Sequence, residues 1–247
     1  MIKGFLMSLG MFSIIPVPRN SWNEKYMPLV IPALPVVGLL IGLLWYGAAR
    51  LLFRLDVPPF MTSAFLLLIP FVISGLIHVD GFMDTADAVL SRRPLEDKKR
   101  ILKDPNAGAF SVVAIIVIML LQLSAVHTLV EAWRPINCLL AMISLIAIPI
   151  VSRCTAGAAL ILCKPIFETG YNVSFREGAK RRHLVFICAL GLIGSVLAPW
   201  ALLSGILMAV YLYRQFKGMS GDLCGCIIVA SECIALIAMA LGLNFIP

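Results

Sequence analysis

Charge is what this chain has least of: 13% of its 247 residues are Asp, Glu, Lys or Arg, against about a quarter in soluble domains. With 61% hydrophobic residues and a mean hydropathy of +0.99, a soluble globular protein is excluded and a polytopic membrane protein is indicated. No internal repeat, low-complexity tract or soluble domain breaks the pattern, so residues 1–247 read as a single transmembrane domain. The seven cysteines contain no Cys-x-x-Cys pair and lie mostly in apolar segments, which leaves them as reduced packing residues. Ser-His-Asp order, zinc-ligand spacing and a Rossmann fingerprint are also missing. No small-residue cleavage site follows the apolar start; Pro16 and Pro18 end that run, so it is expected to stay as an interfacial helix.

What is there is a series of apolar runs separated by short polar loops. Runs at about 29–53, 58–79, 109–130, 136–163 and 222–243 are each long enough to cross about 30 Å of hydrocarbon at 1.5 Å per residue. The fourth is expected to bend at Pro149. Residues 184–213, divided by Pro199, read as two short spans. The expected fold is therefore all-α, a membrane helical bundle of about seven transmembrane helices. In this topology the N-terminus and the loops at 81–108, 164–183 and 214–221 share one side, which holds sixteen of the twenty Lys and Arg. The other side holds Arg50, Arg54 and Arg134, and Arg153 lies within a span. The rich side is then cytoplasmic, and the net charge of +7 reports orientation in the lipid bilayer rather than nucleic-acid binding.

Chemistry concentrates in the stretch from His78 to Gly108. Asp80, Asp84 and Asp87 fall at i, i+4 and i+7, which on a helix places three carboxylates within an arc of roughly 60° and a length of about 10 Å. At an effective dielectric of 20 and about 6 Å, each neighbouring pair repels by about 3 kcal/mol. A divalent cation such as Mg²⁺, which takes hard oxygen ligands and keeps positions for water or phosphate, relieves that repulsion. A plain solvated acidic face is the alternative, but the opposite charges that normally intersperse one begin only at Arg92. Lys103 and Asp104 stand where the chain returns to the membrane, placed to contact phosphate and metal. His78 precedes the first aspartate by two residues, placed either to orient it or simply to sit at the interface.

A second polar cluster, Lys217-Gly218-Met219-Ser220-Gly221-Asp222, opens the last span. Glycines at a helix start let backbone N–H groups approach an anion, although a turn with Asp222 as helix cap has the same sequence. Glu232, ten residues further in, and Arg153 are ionisable residues at hydrocarbon depth. They have opposite signs, so they form either an ion pair or part of the site. Carboxylates for a metal, cations and a glycine-lined helix start at a membrane surface together suggest transfer of a phosphate-containing group.

The run H-x-D-G-x-x-D-x-x-D at 78–87, K-D-x-x-x-G at 103–108 and G-x-[ST]-G-D-x-x-G at 218–225, followed by Glu232, resembles the cobalamin synthase family, the adenosylcobinamide-GDP ribazoletransferases. Ile15-Pro16-Val17-Pro18 and Leu34-Pro35-Val36-Val37-Gly38 are also similar to that family, and the motifs come in the same order from residue 12 to 232. Val79, Ala88, Ser111 and Lys217 depart from residues common there, the last standing where a Gly-Gly pair often begins. The resemblance implies a Mg²⁺-dependent enzyme of the cytoplasmic (inner) cell membrane. Such an enzyme joins adenosylcobinamide-GDP to α-ribazole or α-ribazole 5′-phosphate, releases GMP and makes adenosylcobalamin or its 5′-phosphate, as a homo-oligomer or in a complex with other cobalamin-assembly enzymes. Asp80, Asp84, Asp87 and Lys103 are then expected to be catalytic, with Asp80, Asp84, Asp87 and Asp222 around metal; one carboxylate takes the hydroxyl's proton, and Asp84, central in the arc, is the choice for that base. His78, Gly81, Asp104, Gly108, Arg153, Gly218, Ser220, Gly221 and Glu232 would contact substrate or phosphate. Two rivals are weaker. A CDP-alcohol phosphotransferase wants Ala-Arg where Met83-Asp84 stands, and a secondary transporter is favoured by an inverted repeat, which is not visible.

Overall fold

The computed structural model describes residues 2–136, 139–168, 174–176 and 178–242. Among them the only β-pairing is an isolated parallel bridge between Pro165 and Met219; everything else regular is helix. The helices are α1 (Ile2–Phe12), α2 (Val30–Arg54), α3 (Pro59–Ile73), α4 (Ile77–Leu90), α5 (Leu95–Ile101), α6 (Ala109–Ile136), α7 (Leu139–Leu162), α8 (Arg181–Ser195), α9 (Pro199–Phe216) and α10 (Gly221–Gly242). The expected helical membrane bundle is what forms, because apolar segments in lipid can satisfy their backbone only internally.

Four stretches are long and apolar enough to cross a bilayer: Glu24–Arg54, Ala109–Arg134, Met142–Leu162 and Gly221–Gly242. The run expected at 58–79 ends earlier. Gly75 (φ +66°) and Leu76 (φ +62°) both take the left-handed conformation, and α4 leaves α3 at 91°. Counting that bent pair as one span makes five; the turn takes α4 off the line of α3. α8 and α9, expected as two short spans, have 15 and 18 residues. Their hairpin tip lies beside the middle of α7. A Cβ at Gly194 would touch Val151, and one at Gly205 would touch Thr155. α7 itself continues through Pro149.

Glycine sets the tightest packing. A Cβ at Gly42 would lie 2.7 Å from the Ile146 backbone, and one at Gly38 would collide with the Pro149 carbonyl, so α2 and α7 approach backbone to backbone. The polar loops gather at one end of the bundle. Met219 N–H donates to the Lys164 carbonyl (2.7 Å), Ile166 N–H donates to the Met219 carbonyl (3.1 Å), and Lys98 Nζ donates to Gln215 Oε1 (2.6 Å). At the opposite end Arg134 bridges to Asp56 (3.5 Å) and to the Val57 carbonyl.

Candidate active site

α4 carries the acidic face, and a glycine contact holds it against α10. A Cβ at Gly81 would lie 2.8 Å from Asp222 Cα and its carbonyl oxygen, and one at Gly225 would lie 2.9 Å from the His78 carbonyl. Only Gly at both positions allows this approach. It brings Asp222, distant in sequence, to the aspartates of α4. Asp87 lies over Gly108, where any side chain would meet its carboxylate at the start of α6. Burial first, then the charges of Asp80, Asp222 and Asp87, push the Asp84 carboxyl up to about 6. The i, i+4, i+7 pattern therefore works as read, with Asp84 central and a fourth carboxylate added from α10.

None of these four carboxylates pairs with a Lys, Arg or His among the described residues; the ion pairs lie elsewhere, at Lys99–Glu96, Arg100–Asp97, Arg134–Asp56 and Arg153–Glu232. Nor do three His, Cys, Asp or Glu side chains there form a ready-made metal-binding group. The donor set is nonetheless hard oxygen alone, four carboxylates with no cationic side chain paired to them among the described residues. That chemistry fits Mg²⁺, which keeps several waters or substrate oxygens rather than an all-protein cage.

The start of α10 is built around Ser220, not Asp222. Ser220 Oγ accepts from Leu223 N–H (3.3 Å) as the helix cap and donates to Asp222 Oδ2 (3.3 Å), so Asp222 is left facing the acidic cluster. Gly218 lies against the Lys164 carbonyl, where a Cβ would come to 3.0 Å. Lys217 sits at φ +56°, a conformation glycine adopts more readily, which accounts for the Gly common at this position in the resembling family.

Other expected site residues are placed differently. Lys103 Nζ lies 4.0 Å from the centre of the Phe167 ring, a cation–π contact at the same end of the bundle. Asp104 is exposed and folds back on Asn106, accepting from its backbone N–H and side-chain amide (both 2.9 Å), bonds that hold its carboxyl below the usual range. Arg153 and Glu232 meet each other at 2.6 Å, with side chains 1% and 3% exposed, and Ser152 Oγ also donates to Glu232 (2.8 Å). Of the two readings open for that pair, the ion pair is the one formed. His78 is buried near-parallel to Phe12, their ring centres 6.0 Å apart. Phe12 went unnoticed in the sequence, since nothing local marks a residue 66 positions away as a partner.

The model of the CobS family, described as cobalamin-5-phosphate synthase, matches residues 4–240. The chain belongs to this family. Among cobalamin-5-phosphate synthase relatives, an adenosylcobinamide-GDP ribazoletransferase of Clostridium botulinum (strain Alaska E43 / Type E3) is 34% identical over 98% of both chains. One of Clostridium perfringens (strain SM101 / Type A) is 30% identical over 97% of this chain and 98% of its own. One of Geobacillus kaustophilus (strain HTA426) is 27% identical over 94% and 93%. No solved structure matches the chain.

Proposed function

We propose that the chain transfers the adenosylcobinamide phosphate group from adenosylcobinamide-GDP to α-ribazole or its 5′-phosphate, releasing GMP. The observation that carries this reading is the unpaired acidic face of α4, closed by Asp222 of α10, in a chain that aligns end to end with ribazoletransferases. A ribazole hydroxyl oxygen bonds to the phosphorus that carries the cobinamide, the bond from that phosphorus to the GMP oxygen breaks, and the hydroxyl proton passes to a carboxylate. Asp84 suits that last role as the central carboxylate of the face, with Asp80, Asp87 and Asp222 around it. Asp80, Asp84, Asp87 and Asp222 would hold Mg²⁺, which supplies neutralisation of the pyrophosphate and the leaving GMP. Lys103 and the backbone at Gly218–Asp222 hold phosphate from the sides. The basic loops at this end support a site that faces the cytoplasm from the cell membrane.

The test is incubation of purified protein in lipid with adenosylcobinamide-GDP and α-ribazole, with and without Mg²⁺. Equimolar GMP and adenosylcobalamin, formed only with Mg²⁺, is the expected result. GMP without cobalamin, or no reaction under either condition, overturns the reading. Cysteines introduced at Ser91 and Ser174 in a Cys-depleted background should be labelled from the same, cytoplasmic, side of sealed vesicles.

A further inference from the structure

We infer that the cavity beneath the acidic face holds the benzimidazole base of ribazole, with His78 Nε2 donating a hydrogen bond to the base's free ring nitrogen. This rests on the transfer proposed above. The cavity measures about 170 Å³ and lies among α1, α2, α4, α7 and α10, with Asp80 and Asp222 among its lining residues. Its walls are otherwise largely apolar, with Phe12, Ile31, Leu34 and Leu160 among them. A cavity of about 150 Å³ with such walls takes up benzene, so the space suits a small aromatic ring system. Cys224, the remaining lining residue with a polar atom, already donates its thiol to the Ala156 carbonyl (3.5 Å).

His78 is the feature a purely apolar cavity would lack. It is 6% exposed, it lines the space, and its Nε2 has no hydrogen-bond partner among the described residues. Buried polar groups in folded proteins are nearly always satisfied, so an orphan atom on a residue that lines a cavity points to a ligand group. Its ring and that of Phe12, inclined by 20°, present near-parallel aromatic surfaces.

The substrates differ sharply in what such a space can accept. Guanine carries two acceptors on one edge, O6 and N7, and a single imidazole N–H cannot satisfy both, while the carboxylates of Asp80 and Asp222 only accept. The corrin ring with its amide side chains is far too large. The benzimidazole of ribazole is flat, apolar and bears a single free acceptor nitrogen. Seated there, it leaves the ribose hydroxyls at the Asp80 and Asp222 end, where the pyrophosphate is attacked.

The experiment compares α-ribazole with the isosteric indole riboside, whose ring nitrogen is replaced by C–H, on full-length enzyme in lipid nanodiscs. For the wild type, KM and the equilibrium Kd should be roughly three- to tenfold lower for ribazole, the range of one neutral hydrogen bond. His78→Leu should erase that preference by weakening ribazole alone. Leu34→Phe, which fills the cavity, should raise KM for both nucleosides, with KM for adenosylcobinamide-GDP within twofold of wild type in each variant. No preference between the two nucleosides in the wild type overturns the inference. So does a preference that survives His78→Leu, or a Leu34→Phe effect confined to the guanosine substrate. Binding of ribazole alone separates the two levels. A wild type that binds it with the expected preference yet makes no cobalamin sinks the transfer and leaves the base site standing.

Discussion

Asp222 and Glu232 stand ten residues apart on α10, about 15 Å along its axis, and meet opposite surroundings. Glu232 is closed off: Arg153 at 2.6 Å and Ser152 at 2.8 Å take up its charge, and almost none of the pair is exposed. Asp222 faces Asp80 and Asp84, relieved by the Ser220 hydroxyl and a backbone N–H rather than by a cationic side chain. A charge neutralised from within the bundle serves its architecture, because in lipid an unpaired one is costly. A charge held against its own kind favours a cationic partner from outside, which is why the proposed chemistry is assigned there.

The most severe way to break this contrast is Asp84→Asn. Losing a carboxylate from the acidic face should cut GMP release by about 10³-fold with little change in melting temperature, since the site would lose repulsion as well as function. Wild-type turnover and Mg²⁺ dependence in the Asn variants of Asp80, Asp84 and Asp87 alike would end the metal assignment. Glu232→Gln should do the reverse, leaving Arg153 uncompensated at a cost of about 3 to 5 kcal/mol, read as a lower melting temperature in detergent. Adding Arg153→Gln should recover part of that loss; a double variant no more stable than either single would deny the coupling. A smaller effect is expected from Gly225→Val, which pushes α4 from α10. Its overpacking should cost about 1 to 3 kcal/mol, with a fall in apparent Mg²⁺ affinity that Glu232→Gln does not share.

The smallest effect is in pH. Asp84 is raised from 3.8 to about 6, so in metal-free protein its proton stabilises the fold: that contribution is complete below about 3.8 and is lost as pH rises through about 6. The melting temperature of metal-free protein should therefore fall across that window. Mg²⁺ competes with the same proton, so its affinity should rise by roughly tenfold between pH 5 and 7 and level off above. Asp84→Asn should flatten both profiles; an unchanged pH dependence would show that another group titrates.

Much of this was readable from residue order. The long apolar runs located α2, α6, α7 and α10 to within a residue or two at their site-facing ends, because a span needs about 20 apolar residues and little else. The spacing of Asp80, Asp84 and Asp87 declared a common face, since helical period alone decides that. What stayed hidden depended on tertiary contact or on unusual backbone. Leu76 in the left-handed region is not foreseeable from a leucine, so the 91° turn was missed. The half-depth hairpin of α8 and α9 is fixed by Gly194 and Gly205 against α7, a fit that hydropathy does not register. Lys103 over the Phe167 ring and Asp104 closing its own turn on Asn106 are likewise contacts that residue order does not display.

The glycine contact between α4 and α10 also has a consequence for biosynthesis. Asp80, Asp84 and Asp87 leave the ribosome early, while Gly225 and Asp222 belong to the last helix, made about 140 residues later. At roughly 5 to 20 residues per second, α4 waits on the order of ten to thirty seconds beside an empty berth. Its acidic face and bare Gly81 can neither dock nor fill before Asp222 and Gly225 are made, so any message cut short ahead of Gly221 yields a chain with the helices up to α9 and no assembled site.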